Sequence, residues 1–587
     1  MTVIKRLAKC VNGYWKNAVL TPVFVMLEVV MDVLIPYVMT FLLDCFNAET
    51  MDMKLVFTYG GILIAMAVVA LIFGALSGAH CAKAASGFAA NARKEMFYAL
   101  QNYSFGNIDK FSPASIVTRM TTDVNFVQQA FMMIIRMAVR SPLMLVFGIV
   151  MCVITGGPIA AIYAFVIPVM IFALILIFVN ASRYFKTLFK KYDKMNNIVE
   201  EDVRGMRVVK SNVREDYETE KFTEASGDIC KQFTKAQRII VLCGPLMQLF
   251  MYITITLVFY FGSKTIISSL GLDLDTSRLT TLVTYSSQIL MSLMMFSFVF
   301  MQTVIAKASA ERVYEILEEK PEITDCANPV YEVKDGSVKF ENVTFSYAKS
   351  PDKLCLKKIN LDIKSGETIG IIGGTGSGKS TLVQLIPRLY DVTDGKIEVG
   401  GVDVREYDLE VLRKSVAMVL QKNVLFSGTI RDNLKWGKED ATDEEIENAI
   451  RLACADEFVY RIGGLDFEVE QGGANLSGGQ RQRLCIARAL LASPKILVLD
   501  DSTSAVDMNT DKAIRKAFRE QIPDTTKLII AQRIASVMDA DRIIVMENGE
   551  VNGFGTHEEL LKTNEIYREV YESQVEAGGD FDESANA

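Results

Sequence analysis

The sequence predicts an α-helical, polytopic membrane domain fused to an α/β domain built around a phosphate-binding loop. Three observations carry that prediction. Half of the 587 residues are apolar and the mean hydropathy is positive, more than a water-soluble core requires. Six apolar segments of about 20 residues or more lie within residues 18–304, each long enough to cross a bilayer. Beyond residue 336, short β-branched runs alternate with helical patterns, and one such alternation contains TIGIIGGTGSGKST, residues 368–381.

At the N-terminus, MTVIKRLAKCVNGYW sets Ile4, Leu7 and Val11 on one helical face and Lys5, Arg6 and Lys9 on another. That pattern suits a helix lying on an anionic leaflet. The apolar run that follows carries no small-residue cleavage site, so it reads as an anchor rather than a signal peptide. The six crossing segments fall near 18–43, 55–81, 130–155, 159–180, 239–262 and 279–304. Arg183, Lys186, Lys190, Lys191 and Lys194 crowd the stretch after the fourth, and Lys83, Arg93, Lys94 and Arg119 follow the second. The loops around 44–54 and 264–278 are short and balanced in charge. By the positive-inside rule, both termini and the α/β domain face the cytosol, from a multi-pass position in the cytoplasmic membrane. The segments must then continue into the cytosol as long helices, through 83–100 and 183–238.

Glu28 and Asp32 lie one turn apart in the first segment and share a face. Acids inside a membrane are costly, so they are candidates for attracting a cationic cargo. The alternative is that they hydrate the outward vestibule or pair with a basic residue on another helix.

The domains follow from composition. Residues 1–319 form the membrane domain, the unperiodic and proline-bearing 320–336 a linker, 337–573 the α/β domain, and 574–587 an acidic tail expected to be disordered. The formal charge of −8 argues against a nucleic-acid partner. Ten scattered cysteines, with no CxxC spacing, support neither a disulfide framework nor a metal site.

In the α/β domain, the strand-like run 368–372 leads into Gly373, Gly374, Thr375, Gly376, Ser377, Gly378, Lys379, Ser380 and Thr381, and then into a helical pattern. Glycines allow backbone N–H groups to close around phosphates, and the helix start adds partial positive charge. Lys379 would reach the β- and γ-phosphates of a nucleotide, and the Ser380 hydroxyl would hold Mg²⁺. A second buried strand, ILVLDD (496–501), ends in carboxylates, where a Mg²⁺-associated aspartate belongs, and Asp500 takes that role. LSGGQ (Leu476, Ser477, Gly478, Gly479, Gln480) opens the helical run QRQRLCIARALLA, with Ser477 able to cap it and a second anion site at its exposed N–H groups.

Phosphate loop, LSGGQ and ILVLDD in this order resemble the ATP-binding cassette (ABC) proteins. Tyr347 in FSY, Gln421 in VLQKN, SAVD at 504–507 and GTHEEL at 555–560 match as well. In the membrane half, RMTTDVNFV (119–127), GMRVVKSNVRE (205–215) and ASAERVYEIL (308–317) resemble ABC exporters of the multidrug and lipid type. The resemblance implies ATP and Mg²⁺ as ligands. It implies that Tyr347 stacks on adenine, that Gln421 reaches Mg²⁺ and senses the γ-phosphate, and that Leu476 to Gln480 contact nucleotide bound to another cassette. One cassette per chain makes this chain half of a dimer, whose partners are a second half-transporter, the lipid bilayer and a small amphipathic substrate. Segments 119–127 and 214–225 would be cytosolic coupling helices.

Two positions depart from the family. Asp501 stands where a glutamate polarises the attacking water, and Gln532 stands where the switch histidine belongs. The chain's only histidines are His80 and His557, so nothing nearby substitutes. Every binding residue is kept while both catalytic positions change. The sequence therefore predicts a site that binds ATP and seldom cleaves it, within a heterodimer that exports amphipathic compounds by alternating access. The alternatives are a homodimeric exporter of lipid or peptide, and an ATP-gated regulatory or channel subunit. The six apolar segments exclude a soluble cassette protein.

Overall fold

A computed structural model of the chain describes residues 2–47, 52–269, 274–348, 350–501 and 507–577. Residues 504–506 of SAVD and 578–587 of the acidic tail lie outside the described residues. The chain forms two compact units, Met1–Gln101 with Pro113–Glu319, and Asn102–Ser112 with Lys320–Ala587.

The first unit is helical. A short α1 (Thr2–Lys9) buries Leu7, while Arg6 pairs with Glu95 at 2.7 Å and Glu318 at 3.3 Å. Long helices follow: α2 (Trp15–Asn47), α3 (Met53–Gln101) and, after α4 (Phe105–Lys110) of the other unit, α5 (Pro113–Thr118) and α6 (Val124–Gly156). The rest are α7 (Ala161–Ser211), α8 (Glu215–Val241), α9 (Cys243–Ser269) and α10 (Thr276–Glu318). Among the described residues, five helical runs are long and apolar enough to cross a membrane. The run Pro113–Ala181 holds α6 and the first part of α7, broken at Gly157, whose φ of +50° glycine adopts without strain. The six predicted segments thus fall on α2, α3, α6, α7, α8–α9 and α10.

With apolar surface on every face, polar contacts and small residues fix how the helices meet. Tyr285 Oη donates to the Val33 carbonyl at 2.8 Å, and Thr40 and Thr281 hydroxyls meet at 2.8 Å, both joining α2 to α10. A Cβ at Gly148 would lie 2.9 Å from Ile289, so glycine lets α6 approach α10.

The segments expected to couple the units are both helical. Residues 119–123 form a π-helical turn leading straight into α6, and 215–225 are the opening turns of the 27-residue α8. The turn is tied to α10: Arg312 Nε donates to Asp123 Oδ2 at 2.7 Å, and Arg119 Nη1 to Glu315 Oε2 at 2.7 Å. The motifs at 119–127 and 308–317 therefore bind each other.

The second unit is the α/β domain. Its strands are β1 (Val338–Phe345), β2 (Leu356–Ile363), β3 (Thr368–Gly373), β4 (Asp394–Val399), β5 (Val402–Asp403), β6 (Val416–Val419), β7 (Gly428–Thr429), β8 (Glu468–Val469), β9 (Ile496–Asp500), β10 (Thr526–Ile530), β11 (Arg542–Glu547) and β12 (Glu550–Gly555). One sheet runs β12-β11-β3-β10-β9-β6, all parallel except the edge strand β12, and a second runs β2-β1-β4-β5. Strands β9 and β10 are buried at every residue, as befits parallel strands covered on both faces. Helices α11 (Lys379–Gln384), α12 (Leu409–Ser415), α13 (Ile430–Lys435), α14 (Asp443–Leu452), α15 (Asp456–Ile462), α16 (Gly478–Leu491), α17 (Met508–Gln521), α18 (His557–Thr563) and α19 (Glu565–Ala577) complete the unit. The last corrects the tail: Gln574, placed by composition at its start, is helical.

Candidate nucleotide site

The three central strands of the large sheet are in register, Ile371 opposite Ile530 and Ile530 opposite Asp500. Their C-terminal ends therefore release the phosphate loop, the Asp500–Asp501 pair and the Gln532 loop side by side. The C-terminal edge of a parallel sheet is where such folds hold ligands.

Gly373 closes β3, and a Cβ there would lie 2.2 Å from the Met546 carbonyl oxygen. Gly378 has φ +96° and starts α11, and its Cβ would meet the Cys355 carbonyl at 2.9 Å. The loop is therefore pressed between β11 and the residues before β2, while Gly374, Thr375 and Gly376 crown it in the open and Ser377 is buried. Lys379 Nζ donates to the Gly373 and Gly374 carbonyls, each at 2.8 Å. An ammonium has three donors. Burial lowers the Lys379 pKa, although Asp500 and Asp501 oppose the shift. A half-buried cation resting on carbonyls fits an anion arriving over the loop.

Ser380 Oγ donates to Asp500 Oδ1 at 2.9 Å. A hydroxyl and a carboxylate side by side are hard oxygen donors of the kind that hold Mg²⁺ through one or two protein groups. Burial raises the Asp500 pKa, with the Ser380 bond opposing. A cation beside that carboxylate would relieve the cost.

Asp501 takes φ +49°, a left-handed conformation uncommon outside glycine, and its N–H donates to the Ile530 carbonyl at 3.1 Å. Its Oδ2 accepts from Gln532 Nε2 at 2.7 Å, and Gln421 also donates to the carboxylate. Burial raises the Asp501 pKa, and the Gln532 bond, Lys379 and Gln421 oppose it in that order. The two departures from the family pattern thus touch each other.

Tyr347 lies against the loop helix, its Oη 3.1 Å from Thr381 Oγ1 and 3.2 Å from Gln384 Oε1. It remains partly exposed and meets Tyr390 edge-on, ring centroids 5.1 Å apart. Tyr390 Oη in turn donates to Asp109 Oδ2 at 2.6 Å, and Phe105 packs on the same ring. The helix α4 that carries both acceptor and phenylalanine was missed in the sequence. Its signal was the SFGN start, where Ser104 and Asn107 close a capping box.

LSGGQ sits elsewhere in the unit, at the start of α16. Ser477 Oγ accepts from the Gln480 N–H at 3.3 Å, and Gln480 Oε1 accepts from the Ser477 N–H at 2.9 Å. Leu476 is buried, Ser477 and Gly478 are exposed, and Gly479 is half-buried. The capping box uses up two N–H groups and leaves the glycines open.

In the membrane unit, Arg140 of α6 reaches both acids of α2. It contacts Glu28 Oε1 and donates to Asp32 Oδ2 at 2.7 Å. The acids are thus paired with a basic residue on another helix, the alternative to a cargo role.

The family profile described as the ABC transporter transmembrane region matches residues 19–293, and the one described as ABC transporter matches 356–504. The chain is 34% identical over 524 residues to YfiB, an uncharacterised ABC transporter ATP-binding protein of Bacillus subtilis, spanning 89% of this chain and 90% of that protein. It is 34% identical over 519 residues to Rv1273c of Mycobacterium tuberculosis, covering 88% and 87% of the two. A solved structure of a bacterial Atm1-family ABC exporter with ATP bound has the same fold, with a TM-score of 0.83 at 21% identity over 96% of this chain and 98% of that one. The chain belongs to the ABC transporters, a helical membrane region and an ATP-hydrolysing cassette in one polypeptide.

Proposed function

We propose that this chain is one half of a heterodimeric exporter of amphipathic compounds whose two ATP sites are unequal. Its own phosphate loop would form the slow site, and its LSGGQ would complete the fast site on the partner's loop. The observation that carries this reading is the 2.7 Å bond between Gln532 and Asp501.

A general base must be free to take a proton and must reach the attacking water. Asp501 is one methylene shorter than glutamate, which sets its carboxylate back by roughly 1.5 Å. Two amide donors take up part of its acceptor capacity and oppose the rise in basicity that burial brings. Losing a positioned base costs about 10²–10⁴ in rate. Gln532 can donate to a γ-phosphate but brings no charge to it. The binding side keeps its parts: Lys379 for the phosphates, Tyr347 for the adenine, and Ser380 and Asp500 for Mg²⁺. That ion, when bound, would neutralise charge building between the β- and γ-phosphates.

The partner should carry a glutamate and a histidine at the matching positions. Purifying the tagged chain from its own membranes and identifying what accompanies it tests this. The expected result is a second ABC half of similar length, and a rate of ATP hydrolysis by this chain alone roughly a hundredfold below that of the pair. Full-rate hydrolysis by this chain alone would favour a homodimer and remove the asymmetric reading.

A further inference from the structure

The cassette's last helix reaches the loop that carries Gln532. Tyr567 is fully buried on α19, and its hydroxyl lies 2.6 Å from Nδ1 of His557, the histidine of the GTHEEL motif. Thr556 and Glu559 of that motif close a capping box on α18. Asn564 accepts from the Tyr567 N–H at 2.9 Å, and Val570 packs on the core. Tyr567, Val570 and Gln574 follow at helical spacing and share one face. An anchored helix therefore delivers Gln574 to a defined place.

There its amide makes two bonds. Oε1 accepts from the Ile534 N–H at 2.8 Å, and Nε2 donates to the Gln532 carbonyl at 2.9 Å. Ile534 opens the 3₁₀ turn Ile534–Ser536, where a first N–H has no acceptor within its own turn. Only one orientation of the amide satisfies both partners. From the residue whose carbonyl is held, the Gln532 side chain reaches Asp501 at 2.7 Å.

We propose that Gln574 is a positioning residue for the switch glutamine: its amide fixes the backbone at Gln532 and Ile534, so that the Gln532 side chain is preset to meet a γ-phosphate. This rests on the reading of Gln532, at the switch position, as a donor to the γ-phosphate and so a second sensor beside Gln421 in this chain's ATP site. GTHEEL then acquires a purpose, since His557 anchors the helix that does the holding. Presetting lowers the entropy lost when ATP arrives, and ADP, which has no γ-phosphate, gains nothing from it.

Displacement of a fluorescent ADP analogue by ATP or by ADP, with Mg²⁺ and the full-length assembly, separates the cases. Gln574→Ala should weaken ATP about five- to tenfold, the effect of about one net hydrogen bond, and leave ADP within about twofold. Gln574→Glu keeps an acceptor for Ile534 but turns a carboxylate towards the Gln532 carbonyl, and should fail similarly. Glu572→Ala, exposed on the same helix, should change neither ligand. Amide exchange in residues 531–536 should quicken in Gln574→Ala alone. Equal losses for ATP and ADP would mean that Gln574 only supports the fold, and an unchanged ATP affinity would overturn the proposal outright. Gln532→Ala separates the two layers. If it lowers ATP but not ADP while Gln574→Ala does nothing, this proposal alone fails. If Gln532→Ala leaves the ATP-to-ADP ratio intact, the sensor reading fails and takes this proposal with it.

Discussion

At the scale of single residues, the site is arranged for a ligand and taxed without one. Asp500 is buried beside Ser380 with its pKa raised above an ordinary 3.8, so the folded chain binds its proton more tightly than the unfolded chain does. Its contribution to stability is therefore present below pH 3.8 and lost as pH rises through the folded-state value. Asp500→Asn keeps an acceptor for the Ser380 hydroxyl and removes the charge. The apparent Tm of the ligand-free variant at pH 7 should match or exceed that of the native chain, with a flatter pH dependence between pH 4 and 7, while Mg²⁺-dependent ATP binding falls at least about tenfold. An equal drop in Tm at both ends of that range would mean Asp500 is a structural support. Lys379 and Ser380 were legible in the sequence because a phosphate loop is a local motif whose spacing places its donors, and Asp500 because it ends the buried strand 496–500. Gln574 was not: an acidic, alanine-bearing terminus reads as tail, and only a bond to a loop 40 residues away shows otherwise.

At the scale of elements, the long apolar helices and the alternating cassette strands follow from hydrophobic length and period. How the helices meet does not. Arg140 and its two acids, and Arg312 and Asp123, join residues 108 to 189 positions apart, and no periodicity encodes such pairs. The same limit hid α4, a six-residue helix too short for a period. The Arg312–Asp123 pair can be weighed. Asp123 is 1% exposed and accepts two bonds from Arg312, at 2.7 and 2.5 Å. Removing the arginine leaves a buried carboxylate unpaired, which costs about 3–5 kcal/mol in a closed interior; Arg312 is partly exposed, so about 1–3 kcal/mol is expected here. Arg312→Ala should lower the apparent Tm of the solubilised chain, and Asp123→Ala added to it should restore part of the loss. A double variant as unstable as the two losses summed would show that the pair is not coupled.

At the scale of the whole molecule, a membrane region joined to an ATP-hydrolysing cassette is a transporter, and the questions left are direction and division of labour. ATP-dependent accumulation of a dye in inverted vesicles, against its gradient, is the expected behaviour of an exporter; uptake that stops at equilibrium would identify a gate. Glu28→Gln with Asp32→Asn should reduce export of cationic and neutral dyes alike, because both acids serve Arg140; a loss confined to cationic dyes would return them to cargo binding. Division of labour is the central claim, and steady-state ATP hydrolysis by the assembled transporter tests it most directly. On the proposed reading, Asp501→Asn would touch the slow site alone and should change the rate by less than about twofold, whereas Ser477→Arg would place a bulky cation where the partner's γ-phosphate docks and should remove roughly nine-tenths of it or more. If Asp501→Asn alone removed most of the activity, the two sites would be working equally and the asymmetric transporter would be contradicted.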